Sequence, residues 1–200
     1  MPISNKLIIL DRDGVINHDS DQYIKSPDEW APLPGSIEAI AQLSQSGYRI
    51  AVATNQSGVG RGLFDMATLN AMHDKLHKLV QAAGGKIDAI FFCAHTNEDH
   101  CNCRKPKPGM FEQISTRYAT DLTGVPCVGD SLRDLEAGTA LGCTPYLVQT
   151  GKGKKTEAKG GLPAGTQVFA NLAAVVTHLL SQPNSPTAPQ TSSHKAAKNA

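Results

Sequence analysis

Short apolar runs of strand length alternate along this chain with segments whose apolar residues recur at helical spacing. The helical pattern is clearest between Leu69 and Ala83, where Asp65 is suited to cap the start of a helix and Gly84-Gly85 to end it. Further helices are predicted at 37–43 and 172–180, and the predicted strands are 6–10, 49–53, 87–93, 126–129, 145–149 and 167–169. This alternation predicts βαβ units and a mainly parallel sheet in one domain.

The composition is that of an ordinary globular protein. Its 200 residues suit one domain, and a net charge of +1 gives no reason to expect nucleic acid or a membrane surface as a partner. The apolar runs are far shorter than a bilayer span, and no secretory signal pattern precedes the first predicted strand. We therefore expect a cytoplasmic monomer with its domain at 1–181, followed by a disordered tail at 182–200 that lacks apolar periodicity.

Polar side chains occupy the carboxyl ends of three predicted strands. The motif Asp11-Arg12-Asp13-Gly14 follows the first strand, Thr54 follows the second and Asp130 follows the fourth. Because the carboxyl ends of parallel strands open onto one crevice, we expect these groups to lie together. Two carboxylates two residues apart are costly without a cation, and oxygen atoms are the ligands that Mg²⁺ prefers. The motif does not continue as a calcium-binding loop, and the alternative on this motif alone is a solvated turn.

This set of groups suits phosphoryl transfer. A carboxylate repels a phosphate dianion unless a cation lies between them, and a bound Mg²⁺ removes that barrier. Attack by Asp11 on phosphorus would form an aspartyl phosphate, which splits the transfer into two easier steps. Asp13 is placed to protonate the leaving oxygen and then to activate water. The hydroxyl of Thr54, backbone amides and Lys105 would hold phosphate oxygens, and Arg104 lies beside Lys105 in the sequence.

The chain contains five cysteines, an odd number that argues against a secreted disulfide framework. Three of them lie in the segment 93–103, in the patterns Cys93-x-His95 and Cys101-x-Cys103. Three thiolates and one imidazole form a closed tetrahedral zinc site, which is structural rather than catalytic. The alternatives are free thiols, or His100 as the imidazole ligand. Zinc bound here would fix the loop that directly precedes the two cations.

Together these motifs resemble the haloacid dehalogenase superfamily of phosphatases. The resemblance spans roughly residues 6 to 180 and rests on Asp11-Arg12-Asp13-Gly14-Val15-Ile16-Asn17, Thr54-Asn55-Gln56-Ser57-Gly58, Cys103-Arg104-Lys105-Pro106-Lys107-Pro108-Gly109-Met110 and Val128-Gly129-Asp130. It implies a single Rossmann-like three-layer α/β/α domain of the capless type, with a zinc-bound loop. Within the superfamily the motifs are most similar to those of bacterial phosphatases that act on sugar bisphosphates for lipopolysaccharide synthesis.

The resemblance also implies roles for individual residues. Asp11 would be the nucleophile and Asp13 the acid and base, while Thr54 and Lys105 would stabilise the phosphoryl group. Mg²⁺ would be held by Asp11, the backbone carbonyl of Asp13, and Asp130. Structural Zn²⁺ would be held by Cys93, His95, Cys101 and Cys103, a pattern that favours His95 over His100. The residues implied to bind a small sugar bisphosphate are Asp19, Ser20, Asp21, Gln22, Thr54, Asn55, Gln56, Ser57, Arg104 and Lys105.

Some alternatives stay open. Histidinol-phosphate phosphatases share the first three motifs and the zinc loop, and a non-catalytic binding module would keep the fold without turnover. Ser131 stands where superfamily members often carry lysine, so a phosphate contact from this position is not expected. One helical turn beyond Asp130, Asp134 is expected to orient Lys105. The glycine-rich segment 58–62 matches no nucleotide-binding motif and is expected to form a mobile turn, within which Arg61 is an open candidate for a substrate contact.

Overall fold

Six strands and seven helices alternate along residues 6–182, the part of the chain that the computed structural model describes. The predicted tail beyond residue 182 lies outside the described residues. The strands are β1 (Leu7–Leu10), β2 (Arg49–Asn55), β3 (Ala89–Cys93), β4 (Pro126–Gly129), β5 (Thr144–Val148) and β6 (Gln167–Phe169). The helices are α1 (Ser36–Gln45), α2 (Ser57–Gly60), α3 (Met66–Ala82), α4 (Gly109–Tyr118), α5 (Leu132–Thr139), α6 (Gly153–Lys159) and α7 (Leu172–Ser181).

The strands form one sheet in the order β3-β2-β1-β4-β5-β6, and every neighbouring pair is parallel. This order confirms the predicted Rossmann-like α/β fold, with the reversal of strand order between β1 and β4. One boundary differs from the prediction, because β2 continues to Asn55 and Thr54 pairs with Phe92 of β3. Thr54 is therefore a residue of the strand, one position before its end.

The sheet is covered on both faces because the side chains of its strands alternate. In β1, Ile8 and Leu10 pack into an apolar cluster with α1, α3 and α7, whereas Leu7 and Ile9 pack into a second cluster with α4 and α5. All four side chains are buried, as expected of a parallel strand between two helical layers. The predicted three-layer architecture is thus confirmed.

Helix α3 begins and ends as the sequence predicts. The Oδ1 atom of Asp65 accepts a hydrogen bond from the backbone N–H of Thr68 at 2.8 Å, which caps the first turn. A cap of this kind contributes about 1 kcal/mol. Gly84 follows the helix with a φ of 79°, a left-handed value that glycine adopts without strain.

The connection from β1 to α1 carries no helix of its own. Residues 11–35 form a loop whose two ends are held together by bridges of Asn17 with Asp13 and with Pro32. The Oγ of Ser36 donates a hydrogen bond to the carbonyl of Ile16 at 2.6 Å and secures the same loop to α1. The loop is therefore anchored at its base while its outer part, near residues 19–24, reaches the carboxyl end of the sheet. No helix in the described part of the chain has the length and hydropathy required to cross a bilayer.

The segment 58–62 forms the expected turn only in its second part, at Arg61 and Gly62. Its first part belongs to α2, and the N–H of Gly60 donates to the carbonyl of Ala94 at 3.0 Å. A Cβ on Gly58 would overlap the ring of Phe64, and a Cβ on Gly60 would come within 2.6 Å of the carbonyl oxygen of Ala94. The glycines therefore permit close packing against the loop after β3.

Candidate active site

A polar cleft lies at the carboxyl end of the sheet, where the loops after β1 to β5 meet. Its empty volume is about 750 Å³, including its open mouth. The residues predicted for the site that line this cleft are Asp11, Asp13, Asp19, Ser20, Asp21, Thr54, Asn55, Gln56, Ser57 and Arg104. Four residues without a predicted role also line it, namely Tyr23, Ile24, Arg133 and Lys152. The loops thus bring together side chains from five separate segments of the chain.

Three residues of the predicted site do not line the cleft. Lys105 and Asp130 are buried beneath it, within reach of the residues that do. Gln22 is exposed, and its backbone N–H donates to the Oγ of Ser20 at 3.1 Å. Gln22 is therefore at the protein surface and is not among the residues that line the cleft.

Lys105 is the central cation of the site and is almost fully buried. Its Nζ lies 2.9 Å from Oδ1 of Asp11 and 2.7 Å from Oδ1 of Asp134, and it donates a hydrogen bond to the carbonyl of Ala53 at 2.7 Å. Burial lowers the pKa of Lys105, but the two carboxylates outweigh burial and raise this pKa above its ordinary value. Lys105 is therefore protonated and held against Asp11, in the contact with Asp134 that the sequence predicts.

The main chain of Lys105 is fixed by Asn55, the last residue of β2. The Oδ1 of Asn55 accepts from the N–H of Lys105 at 3.1 Å, and its Nδ2 donates to the carbonyl of Lys105 at 3.1 Å. This reciprocal pair ties the segment after the cysteine-rich loop to the sheet. Asn55 thus acts as a positioning residue for Lys105.

Arg104 lies at the rim of the cleft, next to the cysteine-rich loop. Its Nε donates to Oδ1 of Asn97 at 2.6 Å, and its Nη1 donates to the carbonyl of His95 at 3.4 Å. Both acceptors are neutral, so they orient the guanidinium without neutralising it. The loop therefore presents a positive charge to the cleft.

Asp13 belongs to a separate network beside Asp11. Its carboxylate accepts hydrogen bonds from Arg12 at 2.9 Å, from Asn17 at 2.8 Å and from Gln56 at 2.9 Å. Burial raises the pKa of Asp13, but the guanidinium of Arg12 and the amide of Asn17 outweigh burial and lower it. The amide of Gln56 also donates to Oγ1 of Thr54 at 2.9 Å, which links the Asp13 network to β2.

Three buried carboxylates meet below the cleft. Asp11, Asp130 and Asp134 each place one oxygen within 4.8 Å of the other two. Burial and repulsion by Asp134 and Asp11 raise the pKa of Asp130 to about 8, and burial together with Asp134 raises the pKa of Asp11 to about 6. The raised pKa values show that the ionised carboxylates repel one another in this buried position, and a bound cation would remove that repulsion. The group therefore fits a divalent metal ion. The carboxylate of Asp13 is engaged elsewhere, which leaves its backbone carbonyl as the ligand expected from this residue.

The carboxylate of Asp130 is enclosed by backbone. A Cβ on Gly14 or on Gly151 would collide with its Oδ2, so both positions require glycine for the close approach. The N–H of Lys152 donates to the same oxygen at 2.8 Å, and Oγ1 of Thr156 donates to the backbone carbonyl of Asp130 at 2.8 Å. The loop after β5 therefore fixes the orientation of this carboxylate.

The side chain of Lys152 reaches across the mouth of the cleft. Its Nζ lies 3.0 Å from Oδ2 of Asp19 and 3.3 Å from Oδ1 of Asp21. Both carboxylates belong to the loop after β1, for which substrate contact is predicted. Lys152 thus connects that loop to the backbone that holds Asp130.

The four predicted zinc ligands lie together. The Sγ of Cys93 is 3.6 Å from the Sγ of Cys101 and 3.2 Å from that of Cys103, and Nδ1 of His95 is 3.2 Å from the Sγ of Cys103. All four ligand atoms lie within 4.8 Å of one another, and His100 is not part of the group. Burial raises the pKa of Cys101, but the backbone N–H of Arg104 and the sulfur of Cys103 outweigh it and lower this pKa to about 7. The donor set and its closed geometry fit a structural zinc ion.

The side chain of Ser131 takes part in the N-terminal cap of α5. Ser131 is the N-cap residue of this helix, where its N–H and Oγ donate to Oδ2 of Asp134 at 3.0 and 2.6 Å. The other oxygen of Asp134 faces Lys105. The cap therefore orients Asp134.

Arg133 and Lys152 are the charged cleft residues that the sequence interpretation missed. Arg133 lies in the first turn of α5, and Lys152 lies in the turn before α6. Both follow the carboxyl end of a predicted strand, the position that singles out Asp130. That position is the signal in the sequence that identifies them, whereas nothing comparable distinguishes Tyr23 or Ile24.

Two family profiles match the chain. One, described as HAD-hydrolase-like, covers residues 102–175, and the other, described as polynucleotide kinase 3 phosphatase, covers residues 6–135. The second profile spans more than half of the chain and contains most of the candidate site.

Curated relatives and solved structures match almost the whole domain. A D-glycero-beta-D-manno-heptose-1,7-bisphosphate 7-phosphatase of Bordetella bronchiseptica is 61% identical over 88% of this chain and 99% of its own length, and that of Pseudomonas aeruginosa is 57% identical over 89% and 99%. A crystal structure of the D,D-heptose 1,7-bisphosphate phosphatase from B. bronchiseptica, complexed with magnesium and phosphate, superposes with a TM-score of 0.87 at 62% identity. It is matched over 88% of this chain and 98% of that chain.

Proposed function

This chain belongs to the haloacid dehalogenase superfamily, and we propose that it removes the 7-phosphate from D-glycero-D-manno-heptose 1,7-bisphosphate. Within the superfamily it belongs to the phosphatases described by the polynucleotide kinase 3 phosphatase profile. It also belongs to the D-glycero-beta-D-manno-heptose-1,7-bisphosphate 7-phosphatases. It is a phosphatase. The observation that carries the substrate proposal is identity above 50% to relatives named for this reaction, over nearly their whole length. Their names specify the beta anomer, which we propose as the preferred substrate.

The proposed reaction begins with Asp11. One carboxylate oxygen attacks phosphorus, the bond between phosphorus and the sugar oxygen breaks, and an aspartyl phosphate results. Lys105, 2.9 Å from this carboxylate, stabilises the negative charge that Asp11 and the phosphoryl oxygens share. The hydroxyl of Thr54, which accepts from Gln56, is free to donate its proton to a phosphoryl oxygen.

Asp13 is proposed to move the protons. In the first step its protonated form would donate to the leaving sugar oxygen. In the second step its carboxylate would take a proton from the water that attacks phosphorus, while the bond between phosphorus and the Asp11 oxygen breaks and inorganic phosphate leaves. The low pKa of Asp13 in the resting site favours the second task. Arg12, Asn17 and Gln56 keep the carboxylate beside Asp11 throughout.

Two metal ions fit the residues. We propose that Asp11, the backbone carbonyl of Asp13, and Asp130 hold Mg²⁺, which neutralises the repulsion between carboxylate and phosphate. Cys93, His95, Cys101 and Cys103 would hold structural Zn²⁺, and their loop orients Arg104 through its own acceptors. The crystallised relative with magnesium and phosphate supports the first assignment.

The proposed reaction is a step in bacterial synthesis of ADP-heptose, a precursor of the lipopolysaccharide core. All five cysteines are free in the structure, as in a reducing compartment, which supports a cytoplasmic location. A small sugar bisphosphate suits the confined polar cleft, and the net charge of +1 offers no feature suited to a polynucleotide. We keep the monomeric state as part of the proposal.

Phosphate release from the two anomers of heptose 1,7-bisphosphate and from histidinol phosphate tests the proposal. We expect the beta anomer to give the highest kcat/KM and added Mg²⁺ to be required. A higher kcat/KM for histidinol phosphate would make the amino alcohol phosphate the substrate. Asp11→Asn is expected to stay folded and to lose turnover, and turnover at the wild-type rate would contradict the covalent mechanism. Absence of turnover in the wild-type protein on all of these substrates would favour the binding module.

A further inference from the structure

Unlike the other cations in and beneath the cleft, Arg133 has neither an ion pair within 4.0 Å nor an acceptor for its buried Nε among the described residues 6–182. Arg104 donates only to neutral oxygens. The remaining cations are paired with carboxylates: Arg12 with Asp13, Lys105 with Asp11 and Asp134, and Lys152 with Asp19 and Asp21. A buried donor without an acceptor is costly, and an anionic ligand would satisfy it.

The position of Arg133 suits a second anionic group of the substrate. It follows β4, whereas Arg104 follows β3, and the sheet order β3-β2-β1-β4 places Thr54 and Asp11 between them. Three strand spacings separate β3 from β4, which is about 14 Å. Arg104 and Arg133, the two cleft arginines without a carboxylate partner, therefore come from segments that follow strands on opposite sides of β1, the strand that precedes Asp11.

The surroundings of Arg133 place it inside the cleft rather than at the outer surface. Burial lowers the pKa of Arg133, but the carboxylates of Asp134, Asp11 and Asp130 outweigh burial and raise it. Asp19, in the loop after β1, contributes in the same direction. Arg133 lines the same cleft as Asp11 and Asp19, so its guanidinium is available to a molecule bound there.

We infer that Arg133 binds the phosphate group of the substrate that is not transferred, and that it thereby selects bisphosphates over monophosphates. This inference rests on the proposed function. The transferred phosphoryl group is served by Lys105 and Thr54 next to Asp11, so a second phosphate needs a separate cation. A guanidinium is suited to this task because its planar set of donors matches two phosphate oxygens at once. Ser131 offers no substitute, since its hydroxyl is engaged with Asp134.

The test compares two substrates that differ only in the second phosphate. We would measure kcat and KM for heptose 1,7-bisphosphate and for heptose 7-phosphate with the wild-type enzyme, Arg133→Met and Arg133→Lys. Arg117→Met is the matched control, because it removes the same charge from an exposed position on α4 outside the cleft lining. The melting temperature of each variant reports whether the fold is retained.

We expect Arg133→Met to lose about 10- to 100-fold in kcat/KM on the bisphosphate, mainly through KM, and to change little on the monophosphate. Arg133→Lys should recover part of the loss, because it keeps the charge but not the planar donors. If Arg133→Met does not fold, the ratio of the two kcat/KM values is compared between Arg133→Lys and the wild-type enzyme. Equal losses on both substrates, or an unchanged ratio of the two kcat/KM values, would overturn the inference. If the wild-type enzyme hydrolyses neither heptose phosphate, the proposed function fails and the inference fails with it.

Discussion

Asp134→Asn separates the two tasks that one buried carboxylate performs. Its Oδ1 lies 2.7 Å from Nζ of Lys105, and its Oδ2 accepts from the N–H and the hydroxyl of Ser131. Asparagine has one oxygen and one NH₂ group in place of the two oxygens. Either the NH₂ faces Lys105, so that two donors meet, or it faces Ser131 and the N–H of the cap loses its acceptor.

Both orientations are costly, and the structure sets the scale. A hydrogen bond to a charged group contributes about 1.5–3 kcal/mol, and an N-cap contributes about 1 kcal/mol. Lys105 keeps Asp11 and the carbonyl of Ala53 as partners, so we expect the free energy of unfolding to fall by about 2 kcal/mol rather than by the full value of a broken buried pair. Because Lys105 is then held on one side only, we expect kcat to fall about tenfold or more.

Ser131→Ala is the matched control for this variant. It removes the hydroxyl that donates to Asp134 at 2.6 Å and leaves both oxygens of Asp134 in place. We expect it to lower the free energy of unfolding by about 1 kcal/mol and to keep kcat near the wild-type value. Denaturant unfolding and phosphate release measure the two quantities. Wild-type kcat in Asp134→Asn, or an equal loss of kcat in Ser131→Ala, would refute the role given to the contact between Asp134 and Lys105.

Two further predictions concern the metal sites. Cys101→Ser is expected to lower the zinc content and the melting temperature, and to raise KM before it affects kcat. The control is Cys143→Ala, which alters a buried cysteine outside the ligand group and should keep the zinc content. Wild-type zinc content and stability in Cys101→Ser would contradict a structural zinc ion. In the metal-free fold the pKa of Asp130 is about 8, above its ordinary value of 3.8. Between these two pH values the folded state binds a proton that the unfolded chain releases. The free energy of unfolding should therefore fall as the pH rises through this window. Thermal melts should show that Mg²⁺ stabilises the protein more at the upper end of the window than at the lower end, and equal stabilisation at both ends would contradict this assignment.

The local pattern of the sequence was sufficient to predict the fold and most of the side chains that meet at the cleft. Strand-length apolar runs, the cap at Asp65 and the glycines after α3 are local features, and the structure reproduces them. Asp11, Thr54 and Asp130 were identifiable because the carboxyl end of a parallel strand is a position that can be recognised from sequence alone. At 58–62 the sequence indicated a turn but not the close packing of Gly58 and Gly60, because that packing depends on their neighbours in the folded chain.

The partners of the reacting groups were decided by the tertiary structure. Lys105 is fixed by Asn55, which lies 50 residues away, and Arg133 is identifiable as unpaired only when every carboxylate around it is in place. Local sequence determines which segments form strands and helices and which chemical groups follow them, because those properties depend on near neighbours. Which charges are neutralised and which remain available to a ligand depends on distances between distant segments, and these distances exist only once the sheet has assembled.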